Sequence, residues 1–348
     1  MDNEIDSYVE LCKQDKLDSL VKILSKGPKI IDRIPEIWIT DYNSQTFSLS
    51  HICAAYGSIN CLKYLFSNGI DPKQANNEQW NCLHFAARHG FLEIAKIILE
   101  SGIDINAKTS KGYTALILAS WFDHFSIVQY LVENHADVTL QDNFQCTALL
   151  RACEACNTDV AAFLLDHGGN PNDQNEKGYL LHITCSTGDI DTMRVLLEHH
   201  AKVDIFLDKK PILYYAIQSY REDFVSLLVE YGADVNAKDQ ILNTPLHYAC
   251  QPSQNKILIF LIEHGANINA QNRLKETPLH KAAEIGSISI YKLLIDSGAD
   301  PTIKDKIQRT PLEWARVLGH KALYEMYEVK TKKKKSKDLD FESFKIKK

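Results

Sequence analysis

The chain has 348 residues, of which 45% are hydrophobic and 24% charged, a composition typical of folded proteins. No apolar run approaches the ~20 residues that span a bilayer, and the acidic start Met1–Asp6 lacks the basic and apolar regions of a secretory signal. We therefore expect no membrane insertion, a cytoplasmic location and nine reduced cysteines in place of a disulfide framework.

The first predicted elements form a pair of helices at the N-terminus. Ser7–Lys13 and Leu17–Ser25 are both compatible with helix, and Gly27 supplies a residue that can end the second one. Residues 28–47 then form an unusually long connection that includes Trp38. A connection of this length is expected to be functional or to be ordered against its neighbours.

From residue 48 to 329 the chain repeats itself about nine times, with a period of 33 or 32 residues. The clearest copies begin with Thr-Pro-Leu, and weaker copies precede them. The copies begin at Ser48, Asn81, Thr114, Thr147, Tyr179, Pro211, Thr244, Thr277 and Thr310. Thr or Ser accepts hydrogen bonds from the free N–H groups of a starting helix, and Pro fits the first helical turn. Each copy therefore predicts a helix, followed by a second apolar helix.

The second helix of each copy has a predicted end. A glycine follows it in most copies, where a left-handed backbone residue is favoured. His135 and His200 occupy this place in two copies, and histidine is among the residues enriched in that conformation. The glycines are Gly69, Gly102, Gly168, Gly232, Gly265 and Gly298.

This motif, its period and its order of elements closely resemble the ankyrin repeat. The resemblance implies an all-α fold, an α-solenoid of helix-turn-helix repeats with projecting β-hairpin loops. Residues 1–27 would be its capping helix pair, since they lack the Thr-Pro-Leu-His start and a capping unit has one solvated side. The copies that begin at Tyr179 and Pro211 follow 32-residue spacings, so we expect the stack to continue there with looser or altered hairpins.

The C-terminal residues 330–348 carry nine lysines against three acidic side chains, so the remaining 329 residues hold 30 basic and 42 acidic ones. The acidic body argues against direct nucleic-acid binding. We expect Lys330–Lys337 to be disordered, because like charges repel and the stretch has no apolar residue to bury. Lys332, Lys333, Lys334 and Lys335 resemble a nuclear localisation signal, and a merely solvated tail is the alternative.

A structural role explains the histidines and cysteines of the repeats better than a metal or catalytic site does. Helices of adjacent repeats pack ~8–10 Å apart, whereas metal ligands must all lie ~2 Å from one ion. Family resemblance gives the motif histidine a structural role, tying its helix to the hairpin. Five histidines occupy the motif position: His51, His84, His182, His247 and His280. The pair Cys153 and Cys156 has no second Cys or His pair at zinc-finger spacing. No phosphate-binding or hydrolase motif is present, so we expect no enzyme, no metal and no cofactor.

Resemblance also suggests which residues bind a partner. In ankyrin repeats, the residue before the cap and two residues near the end of the first helix face the concave surface. Aromatic side chains beside arginine are typical anchors of protein interfaces. The predicted binding residues are Phe47, Tyr56, Trp80, Arg88, His89, Tyr113, Trp121 and Phe122. Alternatively, Trp121 and Phe122 pack between adjacent hairpins or under the 28–47 connection.

Two classes of function remain open. The first is a monomeric scaffold or adaptor that binds one or more partner proteins through its concave face. The second is recognition of a nucleotide or small ligand, for which Arg88 and His89 near Trp80 form the one suitable group. A ubiquitin-ligase substrate adaptor is a further form of the first class, although no F-box or SOCS-like segment is recognisable.

Overall fold

The structure is a computed structural model that describes residues 2–24 and 47–327, and these residues form a series of helix pairs. The connection 28–46, Gly27 and the C-terminal lysines lie outside the described residues. The first helices of the pairs are α1 (Asp2–Lys13), α3 (Leu49–Tyr56), α5 (Cys82–His89), α7 (Ala115–Trp121), α9 (Ala148–Glu154), α11 (Leu180–Thr187), α13 (Ile212–Gln218), α15 (Pro245–Tyr248), α17 (Pro278–Ile285) and α19 (Pro311–Val317). The second helices are α2 (Leu17–Leu24), α4 (Ile59–Ser67), α6 (Leu92–Glu100), α8 (Phe125–Glu133), α10 (Thr158–Asp166), α12 (Ile190–Glu198), α14 (Glu222–Glu230), α16 (Asn255–Glu263), α18 (Ile288–Asp296) and α20, over residues 321–327.

The ends of these helices agree with the sequence prediction. All nine predicted starts are the N-terminal caps of the first helices. The predicted stops in the described repeats have positive φ, among them His135 at 68° and His200 at 64°. The predicted starts of the first helices therefore coincide with caps, and the predicted stops of the second helices coincide with left-handed residues.

The chain divides into two compact units, Met1–Ala201 and Lys202–Lys348. In the first unit each first helix packs on the next one, from α1 to α11, and the second helices from α2 to α12 form a parallel series. In the second unit α13, α15, α17 and α19 pack in the same way, as do α14, α16 and α18. Apolar side chains fill the space between neighbouring pairs, as Leu62, Ile94 and Val128 do in the first unit. Each repeat thus buries its apolar face on its neighbours.

Motif histidines join the first helix of a repeat to the hairpin segment that follows it. At His84, the backbone N–H of the cap Asn81 donates to Nδ1 at 3.1 Å. The proton of the neutral ring therefore sits on Nε2, which donates to the carbonyl of Ala107, in the segment that leads to the next cap, at 2.9 Å. His51 makes the corresponding bonds to Ser48 and Gln74. The resemblance implied that this histidine ties its helix to the hairpin, and these bonds show that tie.

The hairpins of the two irregular copies have altered turns, and their strands still pair. Strands β1 (Gln174–Asn175) and β2 (Gly178–Tyr179) are antiparallel, as are β3 (Phe206–Leu207) and β4 (Lys210–Pro211). In the second hairpin Asp208 and Lys209 have φ of 48° and 61°, as a tight two-residue turn requires. The missing residue therefore shortens the turn without opening the hairpin.

Burial makes the motif histidines sensitive to acid. It lowers the pKa of His51, His84, His182 and His247 to about 4, and it lowers the pKa of His280. In the unfolded chain the pKa of histidine is about 6.5. The unfolded chain therefore binds more protons between pH 6.5 and 4, and stability present above pH 6.5 is lost as pH falls through this window.

We predict that His84→Gln reduces the acid sensitivity of the chain. Glutamine at this position can accept the hydrogen bond of the cap N–H, as in a capping box, but it takes up no proton. The difference in free energy of unfolding between pH 7.5 and pH 5 should be smaller than in the wild type by about 2 kcal/mol. Urea denaturation at both pH values measures this difference.

His135→Asn is the matched control, because the His135 side chain is exposed and asparagine tolerates its positive φ. This variant should keep the full pH dependence. An unchanged pH dependence in His84→Gln would show that the buried ring does not cause the acid sensitivity.

Candidate functional site

Hairpins and the ends of first helices meet on one side of the first unit. Asx side chains fix several hairpins, and in the hairpin before Thr114 the hydroxyl of Thr109 accepts from the N–H of Tyr113 at 3.1 Å. Asn76 Oδ1 accepts from the N–H groups of Glu78 at 3.0 Å and Trp80 at 2.8 Å. Asp142 Oδ1 does the same two repeats later, for Phe144 and Cys146. The residue before each cap is thereby held against the first helix that follows it.

This arrangement buries two rings that the sequence predicted to be exposed. Trp80 is 7% exposed and Tyr113 is 9% exposed. The Trp80 ring lies 5.1 Å from that of Phe85, in the helix that follows, and 6.0 Å from the ring of His84. The repeat period gives the position of these residues along the chain but not the depth at which their rings lie.

Predicted binding residues and their neighbours form a row of aromatic rings and arginines beside Trp80. The guanidinium of Arg88 lies 5.6 Å from the ring of Trp80 and 5.4 Å from that of Phe122. Phe122 stacks on Trp121 at 5.7 Å, and the guanidinium of Arg151 lies 4.4 Å from the Trp121 ring. We call the set Trp80, Arg88, Phe122, Trp121, Arg151 and Phe144 the aromatic row. Its exposed rings are Phe122, at 41%, and Phe144, at 52%.

Arg151 is the charged centre of the aromatic row. Its guanidinium bonds to Asp142 Oδ2 at 2.6 Å and to Glu154 Oε2 at 2.7 Å. Glu154 also pairs with Lys177, 2.8 Å away. Beside these groups lies a cleft of about 180 Å³, with Tyr113, Trp121 and Phe144 as its aromatic lining. The cleft can take an apolar side chain between rings, and its two cations, Arg151 and Lys177, are already paired.

The remaining predicted residues lie around this row. Phe47 packs on Phe85 with 5.5 Å between ring centroids. Tyr56 is exposed, and Lys13 lies 5.2 Å from its ring. His89 is exposed beside Arg88; desolvation and the charges of Arg88 and His124 lower its pKa. The alternative that Trp121 and Phe122 pack under the 28–47 connection stays a prediction, because residues 28–46 lie outside the described residues.

Sequence reasoning missed Arg151 and Phe144. Arg151 stands at the fifth position of the motif, nine residues after the Asx residue of its hairpin. The same spacing links Tyr248 to Asp239 and Trp314 to Asp305 in the second unit. A comparison of the fifth positions across the copies would have revealed this pairing.

The hairpin position of Phe144 is apolar in other copies as well. In the second unit Ile241, Leu274 and Ile307 occupy it, and all three are exposed. The 33-residue spacing of these residues was the signal that could have identified them. The second unit therefore presents an aliphatic series at its hairpin tips, where the first unit has one phenylalanine.

The described residues contain no group of three or more His, Cys, Asp or Glu side chains placed to hold a metal ion. Cys153 is buried, and desolvation raises the pKa of its thiol, whereas Cys156 is exposed. Within the same residues no helix is long and apolar enough to cross a membrane.

Capped helix pairs, histidine bonds from helix to hairpin and projecting hairpins together define an ankyrin-type repeat protein. Comparison with protein families agrees: the model described as "Ankyrin repeats (3 copies)" matches overlapping segments that run from residue 12 to residue 334. The chain belongs to the ankyrin repeat family. Ankyrin repeats are generally protein-interaction modules, and no catalytic family is indicated.

Two similar proteins illustrate the relationship. The transient receptor potential channel pyrexia of Drosophila melanogaster is 34% identical over 97 residues, which are 27% of this chain and 10% of that protein. The chain thus spans about a tenth of the length of this curated relative. The crystal structure of the human ASB11 ankyrin repeat domain matches with a TM-score of 0.57 and 24% identity, covering 63% of this chain and 99% of that one. This second likeness shows the fold alone.

We predict that Asp142→Asn destabilises the chain by about 2 kcal/mol. The buried guanidinium of Arg151 loses one of its two carboxylate partners among the described residues and keeps Glu154. The hairpin bonds should survive, since Asn76 and Asn272 make them in other repeats. Urea denaturation measures the change in free energy of unfolding.

Asp223→Asn is the control, because it removes one carboxylate from the exposed pair between Arg221 and Asp223. An exposed pair contributes little, about 0–1 kcal/mol. Equal effects of the two substitutions would show that the buried pair has no special role in stability.

Proposed function

We propose that this protein is a non-enzymatic scaffold or adaptor that binds a partner protein through the aromatic row of its first unit. The observation that carries the proposal is the row itself: two exposed rings, Phe122 and Phe144, flank the half-buried Trp121, and two arginines lie against these rings. Aromatic and arginine side chains in such clusters supply most of the binding free energy at protein interfaces. The chain acts as a monomer that recruits, masks or bridges its partners.

A protein partner fits this surface better than a nucleotide does. Phosphate groups are usually bound by clusters of cations, but Arg151 and Lys177 are paired with Asp142 and Glu154, which leaves Arg88 as a single arginine for such a group. The cleft of about 180 Å³ is also small, since typical ligand pockets measure about 300–1,000 Å³. It suits a single side chain of a partner.

We predict that Phe122→Ala combined with Phe144→Ala weakens partner binding at least tenfold, because both rings are exposed anchors. The tagged wild-type chain and the double variant are used for affinity purification from cells that express the protein, and recovered proteins are quantified by mass spectrometry. The partners that are recovered also distinguish a ubiquitin-ligase adaptor from other scaffolds.

The control is Phe125→Ala. This ring is 37% exposed and belongs to the second helix of the same repeat as Phe122. Both variants should melt close to the wild-type temperature. If the partners are retained by the double variant and lost with Phe125→Ala, the proposed surface is wrong.

We also propose that the protein is cytoplasmic and enters the nucleus through Lys332–Lys335, which lie outside the described residues. Replacing these four lysines with alanine should abolish nuclear accumulation of a fluorescent fusion, because import signals of this kind depend on clustered positive charge. Replacing Lys345, Lys347 and Lys348 instead is the control. A nuclear fraction that survives the first change would contradict the import role.

A further inference from the structure

The two arginines of the aromatic row differ in their charge partners. The guanidinium of Arg151 is buried between Asp142 and Glu154. Arg88 is exposed, and no carboxylate of the described residues lies within ion-pair distance of it. Its guanidinium lies over the rings of Trp80 and Phe122. Arg88 therefore presents a positive charge that the described part of the chain does not neutralise.

The surroundings of Arg88 hold its guanidinium in place. The two rings lie 5.6 and 5.4 Å from it. The backbone at this end of α5 is tied to the next repeat, since His124 Nε2 bonds to the carbonyl of Arg88 at 2.9 Å. A planar guanidinium restrained in this way loses little freedom when it binds a carboxylate with two parallel hydrogen bonds.

The charge at this point suits a carboxylate better than a phosphate. Phosphate groups carry nearly two negative charges and are usually bound by clusters of cations. His89, next to Arg88 in the sequence, has a lowered pKa because of desolvation and the charges of Arg88 and His124, which disfavours a second positive charge there. One arginine matches the single charge of Asp or Glu.

The cleft beside Arg151 lies a short distance along the same row. From Arg88 to Phe122 is 5.4 Å, and from Phe122 to Trp121 is 5.7 Å. At ~3.3 Å per residue, these two steps together span at most roughly three residues of extended chain. The aromatic lining of Trp121, Phe144 and Tyr113 favours an apolar side chain there.

We propose that the aromatic row binds an extended acidic–apolar segment of the partner protein. The carboxylate of an Asp or Glu pairs with Arg88, and an apolar side chain within roughly three residues of it fills the cleft lined by Trp121 and Phe144. This inference rests on the proposed function, because it names the chemistry of the partner at the same surface.

The test begins with a random dodecapeptide library displayed on phage and selected against the full-length protein. Enriched sequences should contain Asp or Glu within about three residues of an apolar residue. A fluorescein-labelled copy of the most enriched peptide is then titrated by fluorescence anisotropy. Arg88→Gln should raise its Kd at least tenfold, while Arg194→Gln, an exposed arginine of α12, should leave it unchanged.

A double-mutant cycle gives the decisive comparison. Changing the acidic residue of the peptide to its amide should cost at least tenfold with the wild type and less than twofold with Arg88→Gln. If the amide costs the same in both proteins, Arg88 does not bind the carboxylate and the inference is overturned. Melting curves verify that each variant is folded.

Other outcomes separate this inference from the proposed function. If the selected peptides lack acidic residues but bind Phe122→Ala less tightly than the wild type, the acidic segment is contradicted. The proposed binding surface would then still stand. Peptides that are indifferent to Arg88, Phe122 and Phe144 would contradict both. A synthetic peptide with the sequence of residues 30–41 is also titrated. If it binds and Arg88→Gln weakens that binding, Arg88 binds a segment of this chain and not of a partner, which contradicts the proposal.

Discussion

A neutral histidine ring links the first helix of a repeat to the hairpin segment that leads into the next repeat, and the regular arrangement of hairpins depends on this link. Nδ1 of His247 accepts from the backbone N–H of Thr244, and Nε2 bonds to the carbonyl of Glu276, directly before the next cap. His280 continues the pattern with Thr277 and Arg309. Both bonds require the neutral tautomer with its proton on Nε2, which burial favours. The hairpins are therefore placed at fixed distances from the helices they accompany.

On this regular frame, the fifth position of the motif differs between repeats. In several of them its side chain reaches the Asx residue of the preceding hairpin, as Arg151 does to Asp142 and Trp314 to Asp305. In the first unit this pairing places a guanidinium against Trp121 and leaves Phe122 exposed. The anchoring interactions are shared between copies, whereas the rings and charges that a partner would meet are particular to a few of them.

The sequence predicted the repeat boundaries well because they depend on local chemistry. A cap such as Thr147 and a left-handed stop such as His200 act through their own backbone. The depth of the rings could not be predicted in the same way. Trp80 is buried because its hairpin turns the ring against Phe85, and the cleft arises because Phe144 and Trp121 approach Arg151 from different elements. Such approaches depend on how hairpins and helices meet across repeats, which a motif does not record.

The central claim is that the side of the first unit carrying Phe122 contacts the partner. Site-specific photo-crosslinking in living cells tests it most directly, with p-benzoylphenylalanine placed at position 122 in one variant and at position 125 in another. The account predicts a crosslinked partner of defined mass from position 122 and none from position 125. A crosslink from position 125 with none from position 122 would contradict it, because partner binding would then involve the second helices and not the aromatic row.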